Sequence, residues 1–169
     1  MSVRGSGAPV PGPAAPAAAP YIAVVGPADA TPDQEATAEA VGAALAEGGA
    51  VLVCGGGAGV MAAACRGAAG AGGLTLGILP GRHRREANPW VAIAIATGLG
   101  ELRNGLIIRT SDAVIAVGGA YGTLSEVALA LKTGVPVVGL GTWEIGGIRV
   151  AESPAGAVAL ALDQAKRCN

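Results

Sequence analysis

The segment DAVIAVGGAYGTLSEVALALK, residues 112–132, places one carboxylate close behind a cluster of glycines. Gly118, Gly119 and Gly122 follow an apolar run that predicts a buried strand, and an amphipathic stretch comes after them. Backbone N–H groups at a helix N-terminus attract phosphate and other anions. Glu126 would face such an anion as an acid–base group. The alternative is structural, because Thr123 and Glu126 also have the spacing of a capping box.

An earlier glycine cluster lies in VLVCGGGAGVMAAACRGAAG, residues 51–70. Gly57, Gly59 and Ala62 fit the G-x-G-x-x-A form of the dinucleotide fingerprint, between a predicted strand and a predicted helix. The next strand ends in Pro80-Gly81-Arg82, where an NAD site would need an acidic residue for the ribose hydroxyls. We therefore predict a phosphate loop and no dinucleotide; alternatively, these glycines only permit close packing of helix on strand.

One arginine is placed to bind an anion held by these loops. In TGLGELRNGLIIRTS, residues 97–111, Arg103 shares a helical stripe with Leu99, Leu106 and Ile107, which is predicted to face the sheet. A guanidinium there suits bidentate contact with a phosphate or with Glu126. Otherwise it extends to the surface or pairs with a structural carboxylate.

The predicted site combines the two loops with these two charged side chains. Arg103 and Glu126 are the candidate catalytic residues. The candidate phosphate- or nucleotide-binding residues are Gly55, Gly56, Gly57, Gly59, Val60, Met61, Arg103, Gly118, Gly119, Tyr121, Gly122 and Thr123.

The elements that must position these residues alternate from Tyr21 onward. Strands are predicted at Tyr21–Val25, Ala50–Cys54, Leu74–Leu79, Asp112–Val117 and Val135–Leu140, with an extended piece at Val91–Ala96. Helices are predicted from about Pro32 to Glu47, from Thr123, and from Ser153-Pro154 to near Arg167. The helix from Thr123 has a predicted apolar face of Leu124, Val127, Ala128 and Leu131.

This order predicts an α/β fold with a mainly parallel sheet. Strands that are apolar without strict alternation are buried on both faces, so helices must cover both sides. We expect a single doubly wound Rossmann-like domain at residues 21–169, after a disordered Pro/Ala-rich leader at residues 1–20. Ligands bind such sheets at the carboxyl ends of the strands, where both glycine clusters fall.

Composition excludes several classes of function. A formal net charge of -1 provides no field for a polynucleotide, so nucleic acid is not an expected partner. Glycines and charges interrupt every apolar run, and we expect a soluble protein with no membrane segment. Three cysteines without C-x-x-C spacing predict reduced thiols in the cytoplasm, and one histidine leaves too few ligands for a Cys/His metal site. The 51% apolar content, with so few charges, predicts a homo-oligomer.

The pair Arg103-Asn104 and the segment GGAYGTLSE resemble the Arg-Lys and P-G-G-x-G-T-x-x-E motifs of the LONELY GUY family. These proteins are nucleoside 5′-monophosphate phosphoribohydrolases often mislabelled lysine decarboxylases. VCGGGAGVMAAACRGA, GILPG, EANP and TGLGELRN look like its small stand-alone bacterial branch, which includes molybdenum-cofactor carrier proteins. The resemblance implies a Rossmann-like fold over Tyr21 to Leu140. It also implies phosphate binding by Gly119, Gly122 and Thr123, with Arg103 orienting the substrate and Glu126 acting at the glycosidic carbon.

Departures from the hydrolase motif leave two hypotheses open. Asn104 stands where the hydrolases have lysine, Gly118 replaces their proline and Ala120 replaces a glycine. One hypothesis is hydrolysis of a nucleoside 5′-monophosphate to free base and ribose 5-phosphate; the other is a non-catalytic carrier of a nucleotide or of the molybdenum cofactor. No cofactor is required, and the expected ligands are nucleotide, phosphate or molybdopterin. Lysine decarboxylation is excluded, because Lys132 and Lys166 lie late in amphipathic helices, away from a phosphate loop.

Overall fold

The computed structural model describes residues 19–168, which form one parallel sheet with helices on both faces. The strands are β1 (Tyr21–Val25), β2 (Val51–Cys54), β3 (Thr75–Leu79), β4 (Ile93–Ala96), β5 (Ala113–Val117), β6 (Val137–Leu140) and β7 (Ile148–Val150). The α-helices are α1 (Pro32–Glu47), α2 (Val60–Gly70), α3 (Asn104–Thr110), α4 (Tyr121–Thr133) and α5 (Pro154–Cys168). Two 3-10 turns lie at Arg84–Glu86 and Gly100–Arg103. The doubly wound α/β fold predicted from the sequence is confirmed.

The sheet order is β4-β3-β2-β1-β5-β6-β7, and every neighbouring pair is parallel. The chain moves outward from β1 to β4 and then returns to place β5 on the other side of β1. This reversal creates a topological switch point between β1 and β5. Connections leave these two strands on opposite faces there, which opens a crevice at their carboxyl ends.

Two hydrophobic clusters hold the helices to the sheet. Alternate side chains of the central strands point to opposite faces, so Ile22 and Val24 belong to one cluster and Ala23 and Val25 to the other. Residues of α1, α2 and α5 complete the first cluster, and residues of α3 and α4 complete the second. Burial on both faces explains why these strands are apolar without alternation.

Local sequence signals determine where α1 begins. Thr31 accepts a hydrogen bond from the backbone N–H of Gln34 at 3.3 Å, and the Gln34 side chain accepts one from Thr31 N–H at 2.9 Å. Pro32 occupies the first turn, as predicted.

The predicted leader lies outside the described residues apart from Ala19 and Pro20. Along residues 19–168, no helix combines the length and apolarity that crossing a membrane requires.

Candidate functional site

A cavity of about 640 Å³ opens at the switch point, beside the carboxyl ends of β1 and β5. Its walls are residues 26–28, 101–104 and 120–123, with Met61, Pro80, Ser125 and Glu126. The segment after β1 was not among the predicted site residues. Gly26-Pro27 directly after a predicted strand is nevertheless a turn signal at the ligand-binding edge of the sheet. A volume of this size suits a ligand as large as a nucleotide or a pterin.

The N-terminus of α4 forms one wall of the cavity. The helix begins at Tyr121, with Ala120 in an extended conformation as its N-cap, and no side chain of residues 19–168 caps it. Helix geometry leaves the N–H groups of Tyr121, Gly122 and Thr123 without an intrahelical acceptor. The positive end of a thirteen-residue helix therefore faces the cavity with free donors.

The capping box predicted for Thr123 and Glu126 is wrong. The helix starts two residues earlier than predicted, so Thr123 already lies in the first turn and Glu126 in the second. Buried positions of α4 are Thr123, Glu126, Val127 and Ala130, a stripe at helical spacing. The predicted apolar face is right for Val127 and for Leu131, which packs against the second cluster, and wrong for Ala128, which is exposed. Thr123 and Glu126 thus share an inward stripe and do not serve the helix end.

Thr123 and Arg103 carry polar atoms with unused hydrogen-bonding capacity. Thr123 is only 2% exposed, and its Oγ1 has no hydrogen-bond partner among residues 19–168. The same holds for Nε of Arg103. Buried polar groups in proteins nearly always have a partner, so a bound ligand or water has two unpaired polar atoms to bind in this cavity wall.

Arg103 reaches Glu126 inside the cavity. Its Nη1 lies 3.7 Å from Oε1 of Glu126, and both side chains are largely buried. Burial lowers the pKa of the Arg103 guanidinium from its usual value, and the carboxylate partly offsets this. The helical stripe that was predicted to face the sheet beside Arg103 is partly wrong. Ile107 is buried as predicted, but Leu99 and Leu106 are exposed. A 3-10 turn ends at Arg103 before α3 begins, which breaks the single helical period assumed from the sequence.

Burial raises the pKa of Glu126 to about 7, and the nearby Arg103 lowers it only in part. At 3.7 Å the ion pair is too long for a strong charge-assisted hydrogen bond. The carboxyl group is therefore balanced between its neutral and charged forms near neutral pH. Such a group is able to donate or accept a proton at physiological pH.

Asn104 links Arg103 to the start of α4. Its side-chain oxygen accepts a hydrogen bond from Nη1 of Arg103, and its Nδ2 donates to Oγ of Ser125 at 3.2 Å. The Ser125 hydroxyl in turn donates to the carbonyl of Gly122 at 2.8 Å. Neither Asn104 nor Ser125 was among the predicted site residues. Together they fix the guanidinium relative to the free N–H groups of the helix.

The first glycine loop lies mostly behind the cavity. Met61 lines the cavity, whereas Gly56, Gly57, Gly59 and Val60 do not. The backbone N–H of Asn88 donates to the carbonyl of Gly56 at 2.9 Å, and its side chain donates to that of Gly57 at 3.0 Å. Gly59 has φ +60 and ends the loop at the start of α2. Phosphate binding by this loop stays a prediction.

The second loop divides between two surfaces. Tyr121, Gly122 and Thr123 line the cavity, while Gly118 lines a smaller recess of about 290 Å³ that residues of α1 also line. A Cβ atom at Gly119 would lie 2.8 Å from Nε1 of Trp143, so this glycine makes room for an indole that the sequence did not connect with the loop. Roles for Gly118 and Gly119 in binding a ligand remain predictions.

Gly55 makes room for the guanidinium of Arg103. A Cβ atom at this position would lie 2.4 Å from Nη2 of Arg103 and 2.9 Å from Sδ of Met61. The far end of a flexible side chain gives way more easily than backbone, so we expect Gly55→Ala to fold with a melting temperature close to that of the wild type. Displacing Arg103 should weaken binding of a phosphorylated ligand roughly tenfold, the loss of about one charged hydrogen bond. Calorimetric titration checks this, and unchanged affinity would show that Arg103 needs no exact placement.

Comparison with known proteins yields matches over nearly the whole described chain. An uncharacterised protein of Archaeoglobus fulgidus is 45% identical over 138 residues, which cover 81% of this chain and 91% of that protein. The structure of the molybdenum cofactor binding protein from the phototrophic bacterium Rippkaea orientalis superposes with a TM-score of 0.83 at 40% identity, covering 88% of this chain and 98% of that one. The Moco carrier protein from Chlamydomonas reinhardtii gives a TM-score of 0.81 at 39% identity, covering 89% and 99%.

These matches confirm the resemblance to the branch that includes molybdenum-cofactor carriers. The sequence model of the SLOG cluster4 family matches residues 19–166. That range includes every strand, all of the cavity wall and both predicted glycine loops. The protein belongs to the SLOG cluster4 family.

Proposed function

We propose that this protein is a carrier that binds the molybdenum cofactor, a pterin with a terminal phosphate, and releases it unchanged. The observation that carries the proposal is the pair of buried polar atoms, Oγ1 of Thr123 and Nε of Arg103, that lack partners among residues 19–168 at the N-terminus of α4. Two relatives of 39 and 40% identity, named for carrying or binding this cofactor, support it.

The phosphate of the ligand would bind at the start of α4. Free N–H groups of Tyr121, Gly122 and Thr123 point along the helix axis, and the Thr123 hydroxyl adds a further donor. Arg103 would supply the positive charge, and its guanidinium is held in place by the hydrogen bond to the side-chain oxygen of Asn104. Neutral Glu126 next to a bound phosphate avoids repulsion between two anions.

Asn104 favours holding the ligand over turning it over. In the hydrolases that the sequence resembles, a lysine occupies this position. Here both ends of the Asn104 amide are engaged, by Arg103 and by Ser125, so the residue contributes position and no charge. Elsewhere in the cavity wall, the exposed side chain of Tyr121 and the segment around Pro27 are available to contact the pterin.

A second candidate is hydrolysis of the N-glycosidic bond of a nucleoside 5′-monophosphate. Glu126 favours it, because a buried carboxyl group with a pKa of about 7 suits acid–base catalysis near neutral pH. In this case Glu126 would stabilise the oxocarbenium ion or activate water, and Arg103 would orient the phosphate. The same residues thus serve either function, and only turnover distinguishes them.

The experiment compares wild type with Glu126→Gln on AMP, GMP and CMP, and on the molybdenum cofactor under anaerobic conditions. Chromatography follows free base and ribose 5-phosphate, and equilibrium dialysis measures binding of the cofactor. The carrier proposal expects cofactor binding by both proteins and no release of base by either. Release of base by the wild type that falls by about 100-fold or more in Glu126→Gln would establish the hydrolase instead.

We further propose that the chain is a homo-oligomer of the cytoplasm. Leu102 and Tyr121, 82% and 85% exposed, lie in the cavity wall, and Leu99 is exposed nearby in sequence. Apolar side chains this exposed favour burial against a second copy. Light scattering at micromolar concentration is expected to give a dimer or tetramer, and a monodisperse monomer would contradict it. The free thiols of Cys54 and Cys65 fit the reducing cytoplasm.

A further inference from the structure

Two cysteines meet directly behind the cavity. Cys54 is the last residue of β2 and Cys65 lies in the second turn of α2, and their Sγ atoms are 3.4 Å apart. Both side chains are fully buried, and both are free thiols. The backbone N–H of Gly56 donates to Sγ of Cys54 at 3.3 Å, which fixes the strand end against the glycine loop. Neither thiol has a part in the proposed binding of the cofactor.

We propose that hydrogen peroxide oxidises Cys54 and Cys65 to a disulfide, which a dithiol reductant returns to two thiols by thiol–disulfide exchange, so that the pair is a redox modification site. The thiolate of Cys65 attacks one peroxide oxygen and the O–O bond breaks. The leaving hydroxide takes up the proton that Cys65 lost, which yields water and a sulfenic acid on Cys65. Sγ of Cys54 then attacks Sγ of Cys65, the S–O bond breaks, and the hydroxyl leaves as a second water with the proton of Cys54. Two thiols are oxidised, and one hydrogen peroxide is reduced to two waters.

The hydrogen bond between the two thiols assigns their roles. Either thiol can donate to the other at 3.4 Å. Donation from Cys54 lowers the pKa of the Cys65 thiol against the opposing effect of burial, and a hydrogen bond from Asn88 also lowers it. The same bond to Cys65, together with burial, raises the pKa of Cys54. Cys65 is accordingly the attacking thiolate and Cys54 the resolving thiol. Because both side chains are fully buried, oxidation requires a local opening of the structure and should be slower than that of an exposed thiol.

Disulfide formation would move residues that line the cavity. The sulfur atoms must approach from 3.4 Å to about 2.05 Å. β2 is central in the sheet, so the displacement falls mainly on α2, which also carries Met61 one turn before Cys65 on the same face. Gly55, next to Cys54, packs on the guanidinium of Arg103, whose positive charge acts on Cys54. This expected effect on binding rests on the proposed function. We expect the oxidised protein to bind phosphorylated ligands roughly tenfold more weakly than the reduced protein.

Peptide mapping tests the disulfide without any ligand. A Cys168→Ser background removes the third thiol, and trypsin leaves Cys54 and Cys65 on one peptide, because no lysine or arginine lies between residues 5 and 65. After treatment with hydrogen peroxide, this peptide is expected to be lighter by two hydrogen atoms and to resist alkylation. It should give no fragment ions between the two cysteines until it is reduced. Cys54→Ala in the same background is the control and should show no linkage.

Alkylation of both cysteines after oxidation, or a sulfinic acid on Cys65 without linkage, would overturn the proposal. The effect on the cavity is measured separately, with AMP as the probe on the reduced and oxidised wild type. Equal affinity of the two forms, with the disulfide present, would overturn the connection to the cavity. Absence of AMP binding by the reduced protein as well would count against the phosphate site alone and leave the disulfide standing.

Discussion

Arg103→Ala is expected to weaken binding of the molybdenum cofactor by about 100-fold, the loss of a bidentate charged contact worth roughly 3 kcal/mol. Arg103 is the cation that faces both Thr123 and Glu126 in the cavity wall, and its Nε has no partner within residues 19–168. Folding should survive, because removing the guanidinium leaves Glu126 free to become neutral. Calorimetric titration measures the change in affinity.

Two matched variants give the prediction its specificity. Arg109→Ala removes an exposed arginine from α3, the helix that begins directly after Arg103, and should leave the affinity unchanged. Arg103→Lys keeps the charge but loses the planar fork, so we expect an intermediate loss. Equal affinity for wild type and Arg103→Ala, with both proteins folded, would remove Arg103 from the binding site.

Glu126 is expected to make the stability of the protein fall as pH rises. Its pKa is about 7 in the folded protein and 4.5 as the ordinary value, so the folded state binds the proton more tightly than the unfolded state. The favourable contribution is complete below pH 4.5 and is lost as pH rises through about 7. The free energy of unfolding should therefore decrease by about 3 kcal/mol over this window. Urea denaturation at a series of pH values measures it.

Glu126→Gln separates this effect from other titrations. The neutral amide cannot ionise, so the variant should lack the decrease and become more stable than the wild type above pH 7. Glu101→Gln changes an exposed carboxylate beside the same cavity and should retain the wild-type dependence. Parallel curves for wild type and Glu126→Gln between pH 4.5 and 8 would mean that burial does not hold the proton on Glu126.

The order of the elements was predictable because it depends on local composition. Strands buried on both faces consist of consecutive apolar residues, which the sequence shows directly. The capping box of Thr31 and Gln34 begins α1 where predicted. β1 begins at Tyr21 as predicted, whereas the other predicted strands begin one or two residues early, since backbone pairing and not composition decides where a strand starts. β7 was missed, because three residues with Arg149 at the centre give no apolar run.

The candidate site was predictable in its charges and less so in its geometry. Arg103 and Glu126 do meet, at 3.7 Å, in a cavity that Thr123 also lines. The capping box failed because local spacing cannot show that α4 starts at Tyr121 and turns Glu126 toward the sheet. No local pattern reveals two further contacts. Cys54 meets Cys65 only because α2 packs on the end of β2, and Gly55 meets Arg103 from a distant part of the sequence.

The most direct test of the carrier proposal is a crystal structure of the protein with the bound molybdenum cofactor. We expect an intact cofactor whose phosphate accepts hydrogen bonds from Oγ1 of Thr123, from the N–H groups at the start of α4 and from Arg103. A phosphate bound instead at the exposed loop of Arg82, Arg84 and Arg85, without contact to α4 or Arg103, would contradict the carrier proposal.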